Sequence, residues 1–159
     1  MGAMTPSRFA RITAAIDGSS GAQDALDEAI DLARECQSEL TVLCVAPFVP
    51  VYLPSPNAYM PTTITGTNVD RYLGLIDKAV KQAQDAGVKS VTGVCLEGVV
   101  VDEILTHVET HATDLLVVGS RGLSAAKRLL IGSVSGALVS HAPCPVLVVR
   151  PRSTTKPAA

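Results

Sequence analysis

Between Asp114 and Ser135 a short apolar run, Leu115–Val118, empties into Gly119, with a second glycine at Gly122. A basic stretch with Lys127 and Arg128 follows, and Gly132-Ser133 then opens another helical pattern. A buried strand that enters a glycine-bearing turn and then a helix with two small leading residues reads as an α/β unit. Glycine lets the backbone approach a ligand closely and take φ > 0. A helix N-terminus offers unpaired N–H donors and a partial positive charge to an anion. Together these predict a phosphate cradle.

The rest of the chain repeats the alternation. Phe9–Ile16 reads as a first strand, and Ser19 or Ser20 can cap a helix whose apolar positions run Ala22, Ala25, Leu26, Ala29, Ile30, Ala33 and Cys36. Leu40–Val45 reads as a second strand, Arg71–Ala86 as a helix closed by Gly87, and Val88–Leu96 as a third strand. Val101–His111 reads as a helix, Leu115–Val118 as the fourth strand, Gly132–His141 as the last helix and Val146–Val149 as the fifth strand. Five strands separated by helices predict a doubly wound parallel sheet covered on both faces. Such sheets bind ligands outside the carboxyl ends of the strands, where the strand order reverses.

The spacing Gly119-x-x-Gly122, nine residues, then Gly132-Ser133 resembles the nucleotide-binding signature of the universal stress protein family. So do Asp17-Gly18-Ser19 after the first strand, Val45 at the end of the second, and the terminal Pro143-Cys144-Pro145-Val146-Leu147-Val148-Val149-Arg150. The match covers roughly Phe9 to Arg150. It implies a Rossmann-like (adenine nucleotide alpha hydrolase-like) fold with five parallel strands in the order 3-2-1-4-5. Strands one and four are then neighbours, so that Asp17 and Gly119 meet at one crevice. The resemblance further implies an ATP-binding protein, with AMP or another adenine nucleotide as the alternative ligand and Mg²⁺ accompanying a triphosphate. Ala15, Ile16, Asp17, Val45, Val118, Gly119, Arg121, Gly122, Gly132, Ser133, Val134 and Ser135 are the residues it places at the nucleotide.

Two uses compete for several of these. Asp17 contacts the adenine–ribose end by resemblance, or forms an Asx turn into the first helix; the presence of Ser19 and Ser20 as cap candidates favours the ligand. Val45 would offer backbone groups to the adenine edge. Gly119 and Gly122 would let the loop wrap ribose and phosphates. Ser133 and Ser135 can donate hydroxyl hydrogen bonds to phosphate beside the N–H groups of Gly132, Ser133 and Val134. Ser133 can equally serve as an N-cap. Arg121 adds positive charge at the turn.

Other chemistries fit less well. A P-loop needs Lys-Ser or Lys-Thr after its last glycine, and a dinucleotide fingerprint needs G-x-G-x-x-G after the first strand; neither is present. Val118 stands where a nucleophile elbow around Ser120 needs glycine. ATP hydrolysis requires a group to orient water, and the mapped set contains no Gln, Glu or His, so turnover would be slow at most. A switch or sensor fits better, with a non-binding dimeric scaffold as a further alternative. His107 and His111 have zinc-ligand spacing without a third ligand, and His141 sits at a helix end; all three read as structural.

With 47% apolar residues, 3% aromatics, no Trp and a net charge of −2, the chain lacks both the stacking platforms and the positive field of a nucleic-acid binder. Its apolar runs are too short and charged to span a membrane. Four scattered cysteines, Cys36, Cys44, Cys95 and Cys144, predict reduced thiols and a cytoplasmic setting. Residues 1–8 read as a tag remnant and tail, 9–150 as one domain, and 151–159 as a disordered tail. Pro47–Asp70 holds five of the ten prolines and three of the five aromatics, which predicts either a plain surface excursion or a lid or partner contact. Val146–Val149, uncharged and bracketed by Pro145 and Pro151, reads as a sheet edge through which a homodimer forms. The protein partner is not legible.

Overall fold

A computed structural model of the chain describes residues 8–47, 50–51, 62–63, 67–121 and 131–151. In chain order the elements are β1 (Arg11–Ala15), α1 (Ser20–Cys36), β2 (Glu39–Pro47), β3 (Pro50–Val51), β4 (Thr62–Thr63), α2 (Thr67–Asp85), β5 (Ser90–Gly98), α3 (Val100–Thr110), β6 (Leu115–Gly119), α4 (Ser133–His141) and β7 (Val146–Val149). Five of the strands form one parallel sheet in the order β5-β2-β1-β6-β7, which is the expected 3-2-1-4-5 arrangement.

Alternate residues of the central strands feed two separate cores. Ile12, Ala14, Leu40, Val42, Cys44, Leu115 and Val117 pack under α1 and α2. Leu43, Val45, Leu116 and Val118 pack on the other face against Ile104 and Val108 of α3 and Leu138 of α4. Each fully buried aliphatic side chain contributes roughly 1.5–3 kcal/mol. Thr13 and Thr113 are buried polar exceptions, and their hydroxyls satisfy each other at 2.8 Å.

Local chemistry sets the helix ends. Ser19 is the N-cap of α1, its Oγ accepting from the Ala22 N–H at 3.1 Å. The C-terminus of α1 closes on Gln37 in the left-handed region, φ +55, with the Ser38 N–H donating back to the Ala33 carbonyl at 2.9 Å. α2 buries Tyr72, Ile76, Ala79 and Ala83 on one stripe. Gly87, at φ +97, ends it with bonds from Gly87 N–H to Gln84 O and from Val88 N–H to Ala83 O, the pattern of a glycine C-cap.

Several boundaries differ from expectation. β2 and β5 both run on past the predicted ends, because they pair with each other along their whole lengths. α2 begins at Thr67, inside the segment read as a proline-rich loop, and Pro50–Val51 pairs antiparallel with Thr62–Thr63. A proline fits there because a two-residue pair demands few ladder donors. Residues 48–49, 52–61 and 64–66, with Phe48, Tyr52 and Tyr59, lie outside the described residues, as do 1–7 and 152–159.

Candidate adenine nucleotide site

β1 stops short of both its neighbours. Its pairing with β2 ends at Ala15–Leu43, with one further bond from Ile16 N–H to the Leu43 carbonyl at 2.8 Å, while β2 continues beside β5 to Pro47. Its pairing with β6 ends at Ala15–Val118, while β6 continues beside β7 to Gly119. A crevice therefore opens where Ile16 and Asp17 leave the sheet, at the reversal of strand order. By register, Val45 of β2 lies on one side of the end of β1, and Val118 and Gly119 of β6 on the other.

The floor of the crevice is a turn held by its own side chains. Asp17 Oδ1 accepts from the Ser19 N–H at 2.9 Å, an Asx turn, and Gly18 takes φ +85. Ser19 does the capping, so Asp17 shapes the turn rather than ending the helix. The first turn of α1 then lies flush against the end of β6. A Cβ on Gly119 would stand 2.7 Å from the Gly21 carbonyl oxygen, and one on Gly21 would stand 2.9 Å from the Arg121 carbonyl oxygen. Gly119 is thus required for packing of backbone on backbone, whatever the ligand. Gly21 was not among the predicted site residues; the Gly18-Ser19-Ser20-Gly21 run was its only signal.

Ser120 is the second residue that sequence reasoning missed. It is fully buried, its N–H donates to the Val149 carbonyl at 2.8 Å, and its own carbonyl accepts from the Gly132 N–H at 2.7 Å and the Ser135 Oγ at 3.1 Å. Ser120 thus ties the start of α4 through its carbonyl, and the end of β7 through its N–H, to the end of β6. Gly132 is the N-cap, with an extended backbone and no side-chain cap bond. Because its N–H is spent on Ser120, the donors left for an anion are the first-turn N–H groups of Ser133, Val134 and Ser135. Ser133 and Val134 are exposed there. The Ser135 hydroxyl is buried and directed at the Ser120 and Gly132 carbonyls, so it supports the turn.

Arg121 stands between the two helix starts: its carbonyl approaches Gly21, and its Cα lies 3.7 Å from the Cβ position of Gly132. Its Nε is buried and makes no hydrogen bond. A desolvated guanidinium N–H without an acceptor is costly, on the order of 1–3 kcal/mol or more. Gly122, Lys127 and Arg128 lie outside the described residues.

The histidines stand apart from this crevice. His107 and His111 stack with centroids 4.0 Å apart, and the His111 Nδ1 donates to the His107 carbonyl at 3.0 Å. Among the described residues no group of three His, Cys, Asp or Glu side chains could hold a metal ion. His141 Nδ1 donates to the Ala137 carbonyl at 2.9 Å, at the C-terminal end of α4. No described helix is long and apolar enough to cross a membrane.

The universal stress protein family model matches residues 8–150. Universal stress protein YxiE of Bacillus subtilis is 36% identical over 148 residues, covering 89% of this chain and 99% of that protein. Universal stress protein UspA from Lactobacillus plantarum superposes with a TM-score of 0.67 at 27% identity, covering 90% and 99% of the two chains. A universal stress protein family member from Arabidopsis thaliana, solved with AMP bound, gives a TM-score of 0.65 at 25% identity over 92% of this chain and 95% of that one. The sequence signature, the strand order and these matches agree, and the chain belongs to the universal stress protein family.

Proposed function

We propose that the chain binds an adenine nucleotide, ATP first among them, in the crevice at the end of β1, and works as a homodimeric, nucleotide-dependent sensor or regulator of the stress response in the cytoplasm. The observation that carries this reading is the buried, unpartnered Nε of Arg121, a residue whose carbonyl lies against Gly21 in the first turn of α1 and whose Cα lies near Gly132, the N-cap of α4. The AMP-bound Arabidopsis relative supports the ligand class. In this reading the Ser133 hydroxyl, the Ser133 and Val134 N–H groups and Arg121 take the phosphates. The Val45 backbone and the Ala15–Asp17 segment take the adenosine. Mg²⁺ finds no protein ligand set among the described residues, and enters only as the counter-ion that a triphosphate brings with it.

A slow ATP hydrolase is the second reading, and a non-binding scaffold the third. The hydrolase is disfavoured by a site set without Gln, Glu or His to orient water, the scaffold by the unpartnered Arg121 Nε. Denaturing freshly purified protein and identifying the released small molecules by mass spectrometry tests all three. Bound ATP or AMP near stoichiometry supports the sensor, and ADP accumulating on incubation with ATP supports hydrolysis. An empty protein that also fails to bind on titration with ATP, AMP and Mg²⁺ sinks the reading.

A further inference from the structure

Cys44 of β2 and Cys95 of β5 are register partners in the parallel sheet, and their sulfurs are 3.9 Å apart. Neighbouring strands lie about 4.8 Å apart, and register partners point to the same face. That spacing falls within the Cα separation of about 4.4–6.8 Å over which a disulfide closes. The two thiols differ in access. Cys44 is 1% exposed and lies beneath α2, where its Sγ is also 3.7 Å from the Tyr72 carbonyl; Cys95 is only partly buried, on the edge strand.

We propose that Cys44 and Cys95 form a redox modification site, oxidised by a hydroperoxide to a cross-strand disulfide. The Cys95 thiolate attacks one peroxide oxygen, the O–O bond breaks, and the departing alkoxide takes a proton to leave as alcohol, or as water from hydrogen peroxide. Cys95 is then a sulfenic acid. The Cys44 sulfur attacks the Cys95 sulfur, the S–O bond breaks, and the hydroxide leaves as water with the Cys44 proton. Two thiols and one hydroperoxide give one disulfide, one alcohol and one water.

The order of events follows from the surroundings. Burial, reinforced by the neighbouring Cys95, pushes the Cys44 thiol up to about 12, so it keeps its proton at neutral pH and acts second. Its S–H is within reach of the Cys95 sulfur, as donor, before any oxidation. The link joins residues 51 positions apart around α2, at the residue that precedes Val45 beside the end of β1. This inference needs only the two strands and does not depend on nucleotide binding.

The experiment exposes the full chain to hydrogen peroxide or cumene hydroperoxide, quenches with iodoacetamide after denaturation, and maps peptides by mass spectrometry. Alkylation of Cys44 and Cys95 falls to the same extent, a Cys44–Cys95 linked peptide appears, and dithiothreitol restores both. Cys44→Ala leaves a Cys95 sulfenic acid that dimedone traps, and Cys95→Ser leaves Cys44 fully alkylable. If Cys44→Ala fails to fold, Cys44→Val replaces it, with circular dichroism as the check. Full alkylation of both residues under conditions that oxidise Cys36 or Cys144 overturns the proposal. So does Cys95 sulfinic acid beside an untouched Cys44.

Discussion

The backbone of Gly21 and the backbone of Gly119 approach so closely that a Cβ on Gly119 would stand 2.7 Å from the Gly21 carbonyl oxygen. The contact joins the first turn of α1 to the last residue of β6, and no side chain can yield to relieve it. Gly119→Ala should therefore cost about 1–3 kcal/mol, the range of an overpacked core. Gly74→Ala is the control: it lies exposed within α2 with nothing near its Cβ position, and should gain about 0.5–1 kcal/mol. Urea unfolding of both variants measures the difference. Equal stabilities would mean that α1 can move off β6 at no cost.

Arg121 is expected to recognise phosphate through its buried Nε. Arg121→Gln should weaken AMP and ATP binding about tenfold to a hundredfold, the worth of a hydrogen bond to a charged group, and leave adenosine binding unchanged. Calorimetric titration with the three ligands reads this directly. A matching loss for adenosine would show that the residue shapes the crevice without touching phosphate.

Ser133 and Ser135 separate into binding and support. Ser135→Ala removes a buried hydroxyl that bonds the Ser120 carbonyl, and should cost about 0.5–1.5 kcal/mol of stability. Ser133→Ala touches an exposed first-turn residue and should leave stability alone while weakening ATP binding by up to about 1.5–3 kcal/mol. Unfolding curves and titrations on the same two proteins decide between this division and its reverse.

His107 should make the fold acid-sensitive. Burial, and then the neighbouring His111, lower its pKa below the ordinary histidine value of 6.5, and its Nε2 is buried without a partner. As pH falls through 6.5 the unfolded chain takes up a proton that folded His107 takes up only at lower pH. The unfolded state then binds more protons, so stability falls in that window and is fully present above it. His107→Leu should flatten the slope of stability against pH below about 6.5. An unchanged slope would place the acid sensitivity elsewhere.

The alternation of strands and helices was legible because the apolar strands and the helical spacings between them are local patterns. The resemblance then supplied the strand adjacency. Gly21 was not legible, since its constraint is a contact with Gly119 and Arg121, which no period in the sequence encodes. Ser120 read as an ordinary turn serine; its carbonyl becomes a tether only when the start of α4 folds back onto it. The bond from the Ser135 hydroxyl to that carbonyl was hidden for the same reason. The start of α2 at Thr67 was hidden by the prolines and aromatics before it, which dominate the composition of the window.

The edge strand β7 offers the last test, of the proposed homodimer. The Pro145 and Val149 carbonyls accept from the Leu116 and Ser120 N–H groups of the β6 side, at 3.0 and 2.8 Å. Backbone groups of alternate residues face opposite edges of a strand, so Val146 and Val148 direct theirs outward. Near that edge α4 exposes Val134 and Val139, half of Val139 being accessible. Val148→Pro removes an outward N–H and no bond to β6. In a symmetric pair that N–H is lost twice, at about 0.5–1.5 kcal/mol each. The variant should stay folded by circular dichroism and run as a monomer by light scattering at concentrations where the parent chain is a dimer. A dimer that survives the proline assembles through another face, and a monomeric parent removes the dimer from the proposal.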